Sequence, residues 1–139
     1  DPALYDSPIR IVEQVQALGV DLEFDVLPGI SAPALLAARH RIVLHEVGRP
    51  VHITTGRRLP DAVAAGQDNI VAMLNPPPER LDLTGLADWT IWWGANLGTP
   101  DERLVAGRLA EVLPEIVAAR AAAQTAAGWV MDVFLVRRT

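Results

Sequence analysis

"GWVMDVFLVRR", residues 128–138, decides the fold. A strand with one wet face alternates apolar and polar side chains, whereas this run is apolar at nearly every position. Such a strand is covered on both faces and belongs in the middle of a sheet. The Ala-rich stretch from Ala110 to about Ala127 reads as a helix that Gly128 stops. A helix leading into a central strand means helices layered on a sheet, the α/β class.

Working outward, "DWTIWWGAN" (88–96) reads as a strand with Trp89, Ile91 and Trp93 on one face and Thr90 and Trp92 on the other. "ERLVAGRL" (102–109) is a further strand, close enough in sequence to pair with it antiparallel. "NIVAML", with 70–74 at its core, is a buried strand, and "VHITT" (51–55) is a β-branched one that runs into "GRR". Residues 58–66 form a short, weak helix. "NPPPER" (75–80) is a loop, because consecutive prolines cannot sit inside a sheet. Towards the N-terminus, "LEFDVL" (22–27) alternates as a strand does and "PGIS" turns the chain. Ser31 can then cap a helix that runs to about His40. Ser7 is read as the N-cap of the first helix with Pro8 at its first position, and Gly19 stops it. The expected architecture is an α/β layered domain, a mixed five-stranded sheet flanked by helices.

The 139 residues suffice for one domain with a substantial core. Half are apolar, 21% are charged and the net charge is −5, with a mean hydropathy of +0.22. All 12 basic residues are arginine and none is lysine. An acidic chain without clustered basic residues does not suit nucleic acid. No apolar run approaches the roughly 20 residues that cross a bilayer, so no membrane role is expected and the cytoplasm is the default compartment. The absence of cysteine excludes disulfides, thiolate nucleophiles and Cys-ligated metal centres.

Four segments are candidates for chemistry. "VLPGIS" (26–31) runs into the start of a helix, where exposed N–H groups suit an anion; taken alone, a plain strand–helix turn is the preferred reading. In "TTGRR" (54–58), Gly56 turns the chain at a strand's carboxyl end, where open α/β sheets place ligands, and Arg57 and Arg58 can grip carboxylates or simply stay solvated. His40, His45 and His52 have no metal-ligand spacing, and no metal is expected. "WWGANLGTPDERL" (92–104) ends a strand at exposed main chain, either a loop or the edge of a cofactor site. No nucleophile elbow, P-loop or dinucleotide fingerprint is present.

Taken in order, "DPALYDS", "VLPGIS", "AARHRI", "VHITTGRR", "NIVAML", "WGANLGTPDERLVAGRLAEV" and "GWVMDVFLVRR" resemble the C-terminal half of a tetrapyrrole methylase, over essentially the whole chain. The resemblance implies that Asp1-Pro2 belongs to a G-D-P loop cut just inside its glycine, with the N-terminal domain absent and the active site lying between the two domains. The isolated chain is then expected to be inactive. It implies S-adenosylmethionine as cofactor, released as S-adenosylhomocysteine, held by Asp1, Pro2, Leu4, Ser31, Ala32, Met73, Leu74, Asn96 and Leu97, largely through main chain. Leu97 departs from the glycine common in the family, a change that a main-chain contact survives. It implies C-methylation of a precorrin, with the nearest likeness to the member that methylates precorrin-5 and releases acetate. Arg57 and Arg58 become substrate-binding cations, and a homodimer is implied. No catalytic residue is assigned; His40, His45, His52 and Asp132 could position the water that acetate release consumes, the sequence does not choose among them, and a base in the absent N-terminal half is the alternative. A sister methylase acting at another ring position, or a non-catalytic ligand-binding or dimerisation domain, are the alternatives.

Overall fold

The computed structural model describes residues 1–139. The chain forms two compact units, residues 1–31 and 32–139. The first holds a helix, α1 (Ser7–Ala17), with Pro8 in its first turn as expected. Ser7 already lies in that helix; Asp6 precedes it in helical conformation and offers no side-chain cap. Residues 22–27 are not a strand. Alternation specifies which side chains share a face, but a strand also needs a neighbour to take its N–H and C=O groups. No ladder reaches this segment, and Phe24 and Leu27 stay exposed.

The second unit contains α2 (Ala32–His40), β1 (His52–Thr55), α3 (Leu59–Ala64), β2 (Asn69–Met73), β3 (Thr90–Ala95), β4 (Arg103–Arg108), α4 (Leu109–Ala127) and β5 (Asp132–Arg137). Single 3₁₀ turns occupy Gly56–Arg58 and Pro78–Arg80. The sheet order is β1-β2-β5-β3-β4. β1 and β2 run parallel, while β5 lies antiparallel to both its neighbours and β3 pairs antiparallel with β4. The sheet is therefore mixed and five-stranded, and the final strand is its centre.

That centrality shows in the side chains. Phe134 and Val136 enter one core with Trp89, Ile91, Trp93 and residues of α4, while Val133 and Leu135 enter the other beneath Leu36 of α2. Trp92 packs on the α2 side, opposite Trp89, Ile91 and Trp93, as the alternation requires. α4 ends at Gly128 in the left-handed region (φ 77°), where its N–H donates to the Gln124 carbonyl at 2.9 Å. Gly94 has a packing reason: a Cβ there would lie 2.7 Å from Leu97 Cδ2 and 3.0 Å from Leu36 Cδ1. Its hydrogen lets α2 and the Leu97 side chain close onto β3.

Candidate functional site

The strand directions bring the exits of β1, β2 and β3 to one edge of the sheet, together with the starts of β4 and β5. Open α/β sheets bind ligands beyond the carboxyl ends of their strands. Two non-glycine residues at this edge have left-handed main chain, Leu74 after β2 (φ 52°) and Asn96 after β3 (φ 50°). A leucine in that conformation carries a steric cost, and such costs persist where the surroundings impose them. Leu74 is 68% exposed, so its strain is not repaid by burial of its own side chain.

Of the residues implicated from sequence, Ala32, Met73 and Leu97 gather around the core beneath α2. Leu97 turns its side chain inward over Gly94, which leaves its main chain at the edge. No turn or loop hydrogen bond engages the peptide groups of Leu74 or Leu97. Asn96 is 2% exposed, and its carboxamide is used internally: Nδ2 donates to the Trp129 carbonyl at 3.2 Å and Oδ1 accepts from Met131 N–H at 2.9 Å. In the first unit, the Asp1 carbonyl accepts from Leu4 N–H at 3.1 Å and its Oδ1 from Ala3 N–H at 3.0 Å. Pro2 lies inside that turn, and a Cβ built on Gly29 would stand 3.8 Å from the Asp1 nitrogen. The "DP" turn and the "PGIS" segment, which Ser31 ends, thus come together.

Arg57 and Arg58 lie on the exposed 3₁₀ turn after β1. Arg58 pairs with Asp61 at 3.1 Å; Arg57 makes no such pair. His40 donates from Nε2 to the Trp93 carbonyl at 2.9 Å, which ties down the end of α2. His45 bonds the Glu46 carbonyl and is exposed, and His52 lies on β1. Asp132 is buried at the start of β5, where it accepts from Arg120 Nε at 3.1 Å and Trp93 Nε1 at 3.2 Å. Burial pushes its carboxyl above the usual range against the pull of Arg120 and of the Trp93 and Asn75 hydrogen bonds.

The loop from Asn96 to Glu102 is held by partners that sequence reasoning missed. Arg39 of α2 reaches both Glu102 oxygens, at 2.9 and 3.0 Å, and Glu102 Oε2 accepts Gly98 N–H at 2.7 Å. Thr99 Oγ1 donates to the Asn96 carbonyl at 2.8 Å. No sequence signal announces a pair 63 residues apart. Burial works to raise the Glu102 carboxyl, but Gly98 N–H and Arg39 together outweigh it and hold the group below its usual value of 4.5. A depressed carboxyl stabilises the fold above that value and loses the contribution as pH falls through the folded one. Glu102→Gln is therefore expected to be less stable than the parent near neutrality and to converge with it in acid. Urea midpoints measured between about pH 7 and about pH 3 check this.

The opposite edge of the sheet differs. Its cleft is lined by Glu46, Arg49, Asp68, Asn69, Arg137 and Arg138, and several of these side chains have partners within the protein. Arg49 pairs with Asp68 at 3.2 Å, and Arg137 donates to Asn69 Oδ1 and to the Val43 and Leu44 carbonyls, each at 2.9 Å.

The left-handed residues Leu74 and Asn96 thus lie at the carboxyl edge of a layered α/β sheet, the edge at which open sheets of this class receive ligands. Residues 1–113 match the family model for Tetrapyrrole (Corrin/Porphyrin) Methylases, and the chain belongs to that family. It is 47% identical over 139 residues to a precorrin-6A synthase [deacetylating] of Sinorhizobium sp, an alignment covering 99% of this chain and 53% of that protein. The chain thus spans about half the length of the curated relative it matches. Among solved structures, a cobalamin synthesis related protein (CobF) of Corynebacterium diphtheriae superposes with a TM-score of 0.86 at 36% identity, covering 99% of this chain and 58% of that one. A cobalt precorrin-4 methyltransferase gives 0.68 at 18% identity over 99% and 60%, a likeness of fold. No helix is long and apolar enough to cross a membrane.

Proposed function

We propose that the chain is the C-terminal domain of an S-adenosylmethionine-dependent C-methyltransferase of aerobic cobalamin biosynthesis, which converts precorrin-5 to precorrin-6A and releases acetate. The observation that carries this reading is the 47% identity to a precorrin-6A synthase along the whole chain. A cytoplasmic homodimer belongs to the same reading.

The carboxyl edge fits such a cofactor. Leu74 and Leu97 offer main-chain donors and acceptors, and Ala32, Met73 and the exposed Met131 offer apolar surface. When bound, S-adenosylmethionine would supply an electrophilic methyl group for transfer to a ring carbon. The residues of this chain align donor and acceptor rather than move protons, and alignment alone removes a large part of the barrier to such a step. Arg57 has no carboxylate partner within the chain and is free to meet a precorrin side-chain carboxylate; Arg58 first has to leave Asp61. Acetate release consumes one water. Asp132 is already paired with Arg120 and His40 already bonded to Trp93, while His52 begins β1 and His45 adjoins Glu46, both towards the opposite edge of the sheet, so no side chain of this chain is assigned to position it.

The test is incubation of the full-length protein with precorrin-5 and methyl-labelled S-adenosylmethionine. Label in the tetrapyrrole together with one equivalent of acetate is expected. Methylation without acetate would assign a sister enzyme, and no methylation would leave a binding domain.

A further inference from the structure

Asn75 and Asn96 occupy equivalent places. Each follows a strand that flanks β5, and each reaches across to the start of β5. Asn75 Nδ2 donates to the Ala72 carbonyl at 3.1 Å, at the end of β2, and to the Asp132 carbonyl at 3.4 Å. Asn96 grips the same segment from β3 through the Trp129 carbonyl and the Met131 N–H, and its own N–H donates to the Met131 carbonyl at 2.9 Å. The two side chains therefore fasten residues 129–132 between the exits of β2 and β3.

Both clamps are built at a cost. Asn75 Oδ1 is buried without a hydrogen-bond partner, a situation that folded proteins largely avoid. It is accommodated only because residue 56 is glycine: a Cβ there would lie 2.5 Å from that oxygen. Asn96 itself is left-handed, and so is Leu74, the residue immediately before Asn75. The strained main chain at this edge thus coincides with the two side chains that span it. Trp129 and Met131, the residues being held, are largely exposed, so burial of their own side chains does not fix this segment.

We propose that Asn75 and Asn96 are paired positioning residues, which hold the main chain at Leu74 and Leu97 in the conformation that receives S-adenosylmethionine. The inference rests on the cofactor reading above and adds to it two residues that act through their neighbours. Asn96 thereby serves the site through the peptides it anchors, since its own polar groups are already engaged.

Asn96→Gly separates the conformation from the clamp, because glycine adopts φ near +50° without strain while removing both side-chain bonds. Asn96→Asp keeps the acceptor for Met131 N–H but sets a carboxylate oxygen against the Trp129 carbonyl in place of the donor, at a position only 2% exposed. Asn75→Ala removes the other clamp. Calorimetric titration of the full-length protein with S-adenosylhomocysteine reads affinity and stoichiometry separately. Asn96→Gly and Asn75→Ala are expected to weaken binding about tenfold, roughly 1.4 kcal/mol, with the number of sites unchanged, and Asn96→Asp to weaken it at least as much. A merely structural role would lower the number of competent sites and leave the dissociation constant within about twofold of the parent; that result overturns the proposal. If the parent protein itself fails to bind S-adenosylhomocysteine, the cofactor reading falls and this inference with it.

Discussion

Asp132→Leu is expected to cost the fold about 3–5 kcal/mol, because it strands the Arg120 guanidinium beside an apolar side chain. Arg120 is only 17% exposed and Asp132 3%, so neither charge has recourse to water. Leucine also leaves Trp93 Nε1–H without its acceptor. The reciprocal change, Arg120→Met, is expected to cost less, since a carboxyl already pushed upward by burial can take a proton and become neutral. The sign of its pH dependence follows. A carboxyl whose folded pKa lies above its unfolded 3.8 imposes no penalty below the unfolded value. The penalty grows as pH rises through the folded value. Arg120→Met should therefore lose more stability at about pH 8 than at about pH 5, whereas the arginine stranded by Asp132→Leu stays charged at both. Urea unfolding of both variants at the two pH values checks this. Equal losses for the two variants at every pH would mean that Asp132 does not exchange its proton within the fold.

That ion pair marks the boundary of what the sequence discloses. The central place of β5 is legible because both core layers draw on consecutive residues, Val133 and Leu135 for one and Phe134 and Val136 for the other. The antiparallel β3–β4 pair is legible because a short connection allows little else. The supposed strand at 22–27 fails because alternation says nothing about whether a neighbour exists. At the site, glycine and proline advertise the turns, but the left-handed Leu74 runs against the preference of its own side chain and leaves no local signal. The Arg39–Glu102, Asn75–Asp132 and Asn96–Met131 contacts join segments far apart in sequence, and only the folded sheet reveals them. Family resemblance supplied the list of expected cofactor residues; geometry distinguishes Leu97, whose main chain stays at the edge, from Asn96, whose carboxamide holds Trp129 and Met131.

Leu36→Ala is expected to cost about 2–5 kcal/mol, the range for a fully buried leucine whose cavity closes only in part. Leu36 is the largest buried side chain of α2. Beneath it lie Val71, Val133 and Leu135, and Gly94 is bare so that its Cδ1 can approach β3. Leu36→Met keeps most of the volume and should cost less than about 1.5 kcal/mol. The consequence reaches the candidate site because α2 carries Arg39, which grips Glu102 and through it Gly98, and His40, which is tied to Trp93. Loosening Leu36 frees the helix that braces the loop after β3. In hydrogen exchange, the Gly98 and Glu102 amides should then lose protection in Leu36→Ala well before those of β5, because local openings precede global unfolding where contacts are few. Loss of protection in β5 and in the loop together would show instead that α2 unfolds only with the whole sheet. The loop after β3 would then share the stability of the core and could not loosen independently to admit a ligand.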